Sequence, residues 1–117
     1  MRAMEIFSNE PDVRAFSAGQ PIFAEGERGD VMYAVLQGEV EIRKAGRVLG
    51  TVRHGDVFGE MAIVGTKSRS AAAVAKSDCR VAAIGQKRFS RIVEQTPNFA
   101  LSLMQVLSDR LGRNLAT

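Results

Sequence analysis

The stretch VMYAVLQGEVEIRKAGRVLGTV, Val31 to Val52, decides the fold class. Val31 to Leu36 is a strongly apolar run, the mark of a strand buried on both faces. Gln37-Gly38 turns the chain back. Val40 and Ile42 then alternate with Glu41 and Arg43, the period-two pattern of a half-buried strand. Ala45-Gly46 is a two-residue hairpin signal, and Val48 to Val52 is the return strand.

The same texture extends in both directions. Upstream, Val13 to Phe16 and Ile22-Phe23 read as strands separated by the turn Ala18-Gly19-Gln20-Pro21, and Glu25 to Asp30 is a loop with two glycines. Downstream, Ala72 to Ala75 and Arg80 to Ile84 read as two more strands. About seven or eight short strands at this spacing argue for an antiparallel sandwich or jelly roll. Eleven glycines, mostly in the turns, agree.

At Gly85 the period changes. Gln86 to Gln95 places Phe89, Ile92 and Val93 on one helical side. Thr96 reads as an N-cap and Pro97 as the first helical residue. The last helix is expected to run to about Asn114, with Met104, Leu107, Leu111 and Leu115 at helical spacing and Ala100 and Leu103 widening the stripe. Met1 to Ser8 is expected to form a short N-terminal helix. The expected fold is therefore mainly β: an antiparallel β-roll or jelly roll over about 13–84, followed by helices over about 86–95 and 97–114, in a single domain of residues 1–117.

Bulk properties narrow the function classes. Length and the 45% apolar fraction suit one soluble domain with a modest core. The formal net charge of +3 is spread along the chain, so it reads as a solvated basic surface rather than a nucleic-acid patch. Cys79 is the only cysteine, which fits a reducing compartment and a small buried hydrophobe better than a nucleophile. His54 is the only histidine, too few for the metal site of a jelly-roll enzyme. Neither a membrane-spanning run nor a signal-peptide core is visible, so a cytoplasmic location is expected.

Chemistry concentrates in FGEMAIVGTKSRSAAA, Phe58 to Ala73. Gly59-Glu60 precedes a short apolar segment, Met61 to Val64. A loop then leads to Arg69-Ser70-Ala71. Backbone N–H groups at a helix start together with an arginine are one way to hold an anion, and the guanidinium fork matches two phosphate oxygens. Taken alone, Glu60 equally suits a helix N-terminus and Arg69 an exposed surface.

Two blocks resemble a known family. FSAGQPIFAEGERGDVMYAVLQGEVEI, Phe16 to Ile42, and HGDVFGEMAI followed by SRSA, His54 to Ala71, are similar to the cyclic nucleotide-binding domains of catabolite activator proteins and of regulatory subunits of cAMP-dependent protein kinase. The second block resembles that family's phosphate-binding cassette, including the interval from Glu60 to Arg69. The resemblance implies a regulatory sensor with no catalysis, no metal and no cofactor, whose ligand is cAMP or else cGMP. By the same resemblance Arg69 pairs with the cyclic phosphate, and Ser70 and the Ala71 N–H donate to its oxygens or to the base. Glu60 accepts from the ribose 2′-OH, the Gly59 backbone approaches the ribose with Met61 beside it in the motif, and Ile42 and Leu49 line the base. Arg110, Asn114 and Leu115 are the candidates for a base cap on the last helix. One departure is that the β-branched residue expected near the end of the cassette arrives only at Val74.

Transcription factors of that family continue into a helix-turn-helix after the long helix, whereas this sequence stops at Thr117. No nucleic-acid binding by this chain is therefore expected. A homodimer through the C-terminal helix, or an effector protein, would be the partner. The alternative is a protein-interaction module of the same fold that no longer binds a nucleotide.

Overall fold

The structure, a computed structural model, describes residues 6–65 and 67–112. Its strands are β1 (Val13–Phe16), β2 (Pro21–Phe23), β3 (Val31–Gln37), β4 (Glu39–Lys44), β5 (Arg47–Arg53), β6 (Val57–Phe58), β7 (Ala72–Ala75) and β8 (Cys79–Gly85). The helices are α1 (Met61–Val64), α2 (Gln86–Gln95) and α3 (Pro97–Gly112). The N-terminal helix expected over 1–8 falls largely outside the described residues.

Two four-stranded antiparallel sheets result, in the orders β1-β8-β3-β6 and β2-β7-β4-β5. The first is buried on both faces. From β3, Tyr33 and Val35 join Val40, Ile42 and Val52 of the second sheet in one core. Met32 and Ala34 point the other way, into a second core with Phe7, Val57, Ala82, Ile84, Ile92, Phe99 and Leu103. That is why β3 carries no polar alternation. In β4, Val40 and Ile42 are buried while Glu41 is half-buried and Arg43 exposed, as period two requires; Lys44, on the Val40 side, is exposed because it ends the strand at the hairpin.

Turn chemistry fixes the register. Ala45 (φ 51°) and Gly46 (φ 77°) both take positive φ, the hairpin form whose twist matches the flanking strands. The pairing then slips between Ile42 and Arg43, so that Ile42 faces Gly50 and Arg43 faces Val48. Leu49 is the extra residue of this bulge, half-buried against the core between the sheets. Gly38 (φ +85°) is needed for space as well as for φ: a Cβ there would lie 2.3 Å from the Asp78 carbonyl oxygen.

The lower loops are stitched together. Gly26 donates its N–H to the Arg69 carbonyl at 2.7 Å, Arg69 donates to the Glu27 carbonyl at 2.8 Å, and Gly29 donates to the Lys67 carbonyl at 2.8 Å. The segment after α1 is thereby fixed to the β2–β3 loop.

The helices cover the outer face of the first sheet. Phe99 meets Phe7 edge-on at 5.5 Å and Phe89 at 5.7 Å between ring centroids. Arg88 grips the buried Glu10 carboxylate with Nε at 2.8 Å from Oε1 and Nη2 at 2.6 Å from Oε2, tying α2 to the N-terminal segment. The stripe on α3 matches the expected one at Leu103 and Leu107 and departs from it at Met104. Phe99 and Leu103 are buried, Leu107 packs beside them, and the line continues to the buried Arg110. Met104 is 63% exposed. It sits five positions after Phe99, about 140° away around the axis at 3.6 residues per turn. Leu115 and the side chain of Leu111 lie outside the described residues.

Candidate functional site

The site forms where β6 runs into α1. Gly59 (φ +72°) makes the turn between them, a conformation glycine adopts without steric cost. It also lets an arginine come close, because a Cβ there would meet Arg69 Nη1 at 2.8 Å. Glu60 follows at the N-terminal boundary of α1, and its carbonyl accepts from the Ile63 N–H at 2.9 Å.

Glu60 is fully buried. Its Oε1 accepts from Arg110 Nη1 at 2.7 Å, and Arg110 Nη2 donates to the Val57 carbonyl and lies 3.5 Å from an Asp56 carboxylate oxygen. Glu60 Oε2 has no hydrogen-bond partner. Burial pushes this carboxyl above its ordinary value, although Arg110 pulls the other way.

Arg69 is also buried, 6% exposed. Its Nη1 donates to the Gly59 carbonyl at 3.1 Å and its Nη2 to the Val31 carbonyl at 2.8 Å. The guanidinium carbon lies 4.1 Å from the centroid of the Phe23 ring. Nε has no partner. Burial lowers the pKa of this guanidinium, the cost of holding a cation out of water. Among the described residues, Glu60 Oε2 and Arg69 Nε are the buried side-chain polar atoms left without a partner.

The remaining sequence-predicted residues distribute around these two. Ser70 is exposed, Ala71 is buried, and Met61 is half-buried at the start of α1. Ile42 is buried in the core between the sheets and Leu49 packs against it. Arg110, a candidate base cap, reaches Glu60 itself. Asn114 and Leu115 lie outside the described residues. Sequence reasoning missed Phe23 and the Val31 carbonyl as neighbours of Arg69. It also missed the Glu60–Arg110 pair, whose members are 50 positions apart and carry no shared local pattern. Among the described residues no cluster of three or more His, Cys, Asp or Glu could hold a metal ion, and no helix is long and apolar enough to cross a membrane.

The chain is 41% identical over 85 residues to a cAMP-dependent protein kinase regulatory subunit of Aspergillus niger, a match covering 70% of this chain and 20% of that protein. It is 34% identical over 88 residues to a cGMP-dependent protein kinase of Toxoplasma gondii, covering 75% of this chain and 9% of that one. It therefore spans a fifth or less of the length of these two relatives. Among solved structures, the catabolite activator protein of Thermus thermophilus superposes with a TM-score of 0.79 at 31% identity, over 88% of this chain and 51% of that one. The family model described as "Cyclic nucleotide-binding domain" matches residues 13–96, and the chain belongs to that family.

Proposed function

We propose that this chain binds a cyclic purine nucleotide, cAMP in the first place and cGMP as the alternate, and acts as a sensor module without catalysis of its own. One observation carries the proposal. The two orphaned buried atoms, Glu60 Oε2 and Arg69 Nε, belong to the two residues the family pattern assigns to the ligand. An ionised carboxylate only accepts, so Oε2 calls for a hydroxyl donor, which the ribose 2′-OH supplies. A guanidinium N–H calls for an acceptor, and the cyclic phosphate supplies an anionic one. Buried polar atoms are rarely left unpaired, because each costs about 1–3 kcal/mol. The exposed Ser70 hydroxyl and the Ala71 N–H donate to the remaining phosphate oxygens or to the base, and Ile42 and Leu49 flank the base.

We take residues 1–117 as one ligand-binding unit. Arg110 links it to an output: the helix carrying Arg110 is held to the ribose-binding carboxylate, so the ligand and α3 share Glu60. Leu101 and Met104, both 63% exposed, give α3 an apolar edge for a second copy or an effector protein.

A rival reading is an interaction module that has lost its ligand. It draws on the donors already spent, since Arg110 answers one Glu60 oxygen and Arg69 donates to two carbonyls. It leaves Oε2 and Nε without a purpose. Titration calorimetry of the wild type and Arg69→Leu with cAMP and cGMP separates the two. The wild type is expected to bind, and Arg69→Leu to lose about 2–5 kcal/mol, roughly 30-fold or more in affinity. Absence of heat and of any thermal shift at about millimolar nucleotide in the wild type favours the rival.

A further inference from the structure

A cation buried for phosphate recognition needs more than two in-plane hydrogen bonds to be held still. The carbonyls of Gly59 and Val31 pin two corners of the Arg69 guanidinium. They do not fix the tilt of its plane. Two further features bear on that plane. The Phe23 ring lies 4.1 Å from the guanidinium carbon. Gly29 comes so close that a Cβ there would fall 2.1 Å from Nε, 2.3 Å from Cζ and 2.5 Å from Nη2. The guanidinium thus occupies a slot with an aromatic wall and a bare backbone wall.

The aromatic wall is itself backed. Phe23, Tyr33 and Phe58 form a cluster with centroid separations of 6.1, 6.0 and 5.1 Å, and both Tyr33 pairs are stacked. Arg14 Nη1 donates to the Tyr33 hydroxyl at 3.3 Å, which holds the second ring. All three rings are buried. An aliphatic side chain of similar volume would fill the same core. It would not offer the negative face of a ring quadrupole to a desolvated cation.

We propose that Phe23 is a positioning residue for phosphate recognition: its ring holds the Arg69 guanidinium in the slot formed with Gly29, oriented before the ligand arrives. This rests on the cyclic-nucleotide function proposed above and adds to it how its phosphate arm is set. A pre-set arginine loses little rotamer freedom on binding, which converts directly into affinity.

The test uses the whole chain, with Phe23→Leu and Phe23→Tyr, each also combined with Arg69→Leu, and thermal melting to confirm the fold. Phe23→Leu is expected to weaken cAMP binding about tenfold, the size of a desolvated cation–π contact. Phe23→Tyr, which keeps the ring face, stays within about threefold of wild type. In the Arg69→Leu background Phe23→Leu has no further effect on binding. A purely structural Phe23 would weaken both backgrounds alike, and that result overturns the proposal. A ligand-free signature is available too. In 15N-resolved spectra the Arg69 Nε–H resonance, assigned by its loss in Arg69→Lys, is displaced by the Phe23 ring current and returns to the ordinary arginine position in Phe23→Leu. Nucleotide binding with an undisplaced resonance overturns the positioning role alone. A displaced resonance with no nucleotide binding overturns the ligand assignment and leaves the stacked arginine standing.

Discussion

Glu60 is a carboxylate taken out of water with one oxygen answered and one open, and its energetics follow from that imbalance. Burial raises its pKa in the folded protein above the ordinary 4.5, with Arg110 opposing. The folded state therefore holds the proton more tightly than the unfolded chain. The stability this gives is fully present below 4.5 and is lost as pH rises through the folded value. Denaturant unfolding of wild type and Glu60→Gln over a pH series should show the wild type losing stability relative to the variant across that window. Nucleotide affinity should run the opposite way, rising with pH over the same window, because only the ionised carboxylate is a pure acceptor for the ribose hydroxyl. At neutral pH Glu60→Gln should weaken cAMP binding by about 1–3 kcal/mol. At this scale the sequence told part of the story. Glu60 and Arg69 could be picked out by a motif and its interval. Phe23 could not, because its ring meets Arg69 only after β2 and the loop beyond α1 have been stitched together.

The element tied to the candidate site is α3. Its inner line, Phe99, Leu103 and Leu107, leads on to a buried cation, Arg110. A hydrophobic template follows side-chain type, so it ran through the exposed Met104 and passed over Arg110. Yet Arg110 is the contact that reaches the site, through Glu60 and the Val57 carbonyl. Replacing it leaves a buried carboxylate without its counter-charge, a loss of about 3–5 kcal/mol. Arg110→Met should accordingly lower the denaturation midpoint, and hydrogen exchange should show the amides of α3 opening more than those of β3 and β8. Uniform loss of protection across both sheets would instead make Arg110 a general core residue with no special tie to the helix. Other elements were easier to read. β3 and β4 announced themselves because one is apolar on both faces and the other alternates. β6, only Val57–Phe58, is too short for any period to show.

For the molecule as a whole, the sheet β1-β8-β3-β6 works from both sides. One face closes the core between the sheets and the other carries α2, α3 and Phe7. Glu60 sits where these two cores meet, beside a β6 strand that supplies Phe58 to one and Val57 to the other. On the function proposed above, a ligand bound there would touch both halves, which is what a sensor requires if two states are to bind it unequally. The glycine-punctuated strands and the change of period at Gly85 made this layout legible. The meeting of the halves through Glu60 and Arg110 depends on the packed fold. The most direct measurement is a crystal structure of the chain grown with cAMP. It should place the ribose 2′-oxygen within hydrogen-bonding distance of Glu60 Oε2 and a cyclic-phosphate oxygen within reach of Arg69 Nε. A structure in which the nucleotide is absent or sits elsewhere, with both atoms still unpartnered, would contradict it.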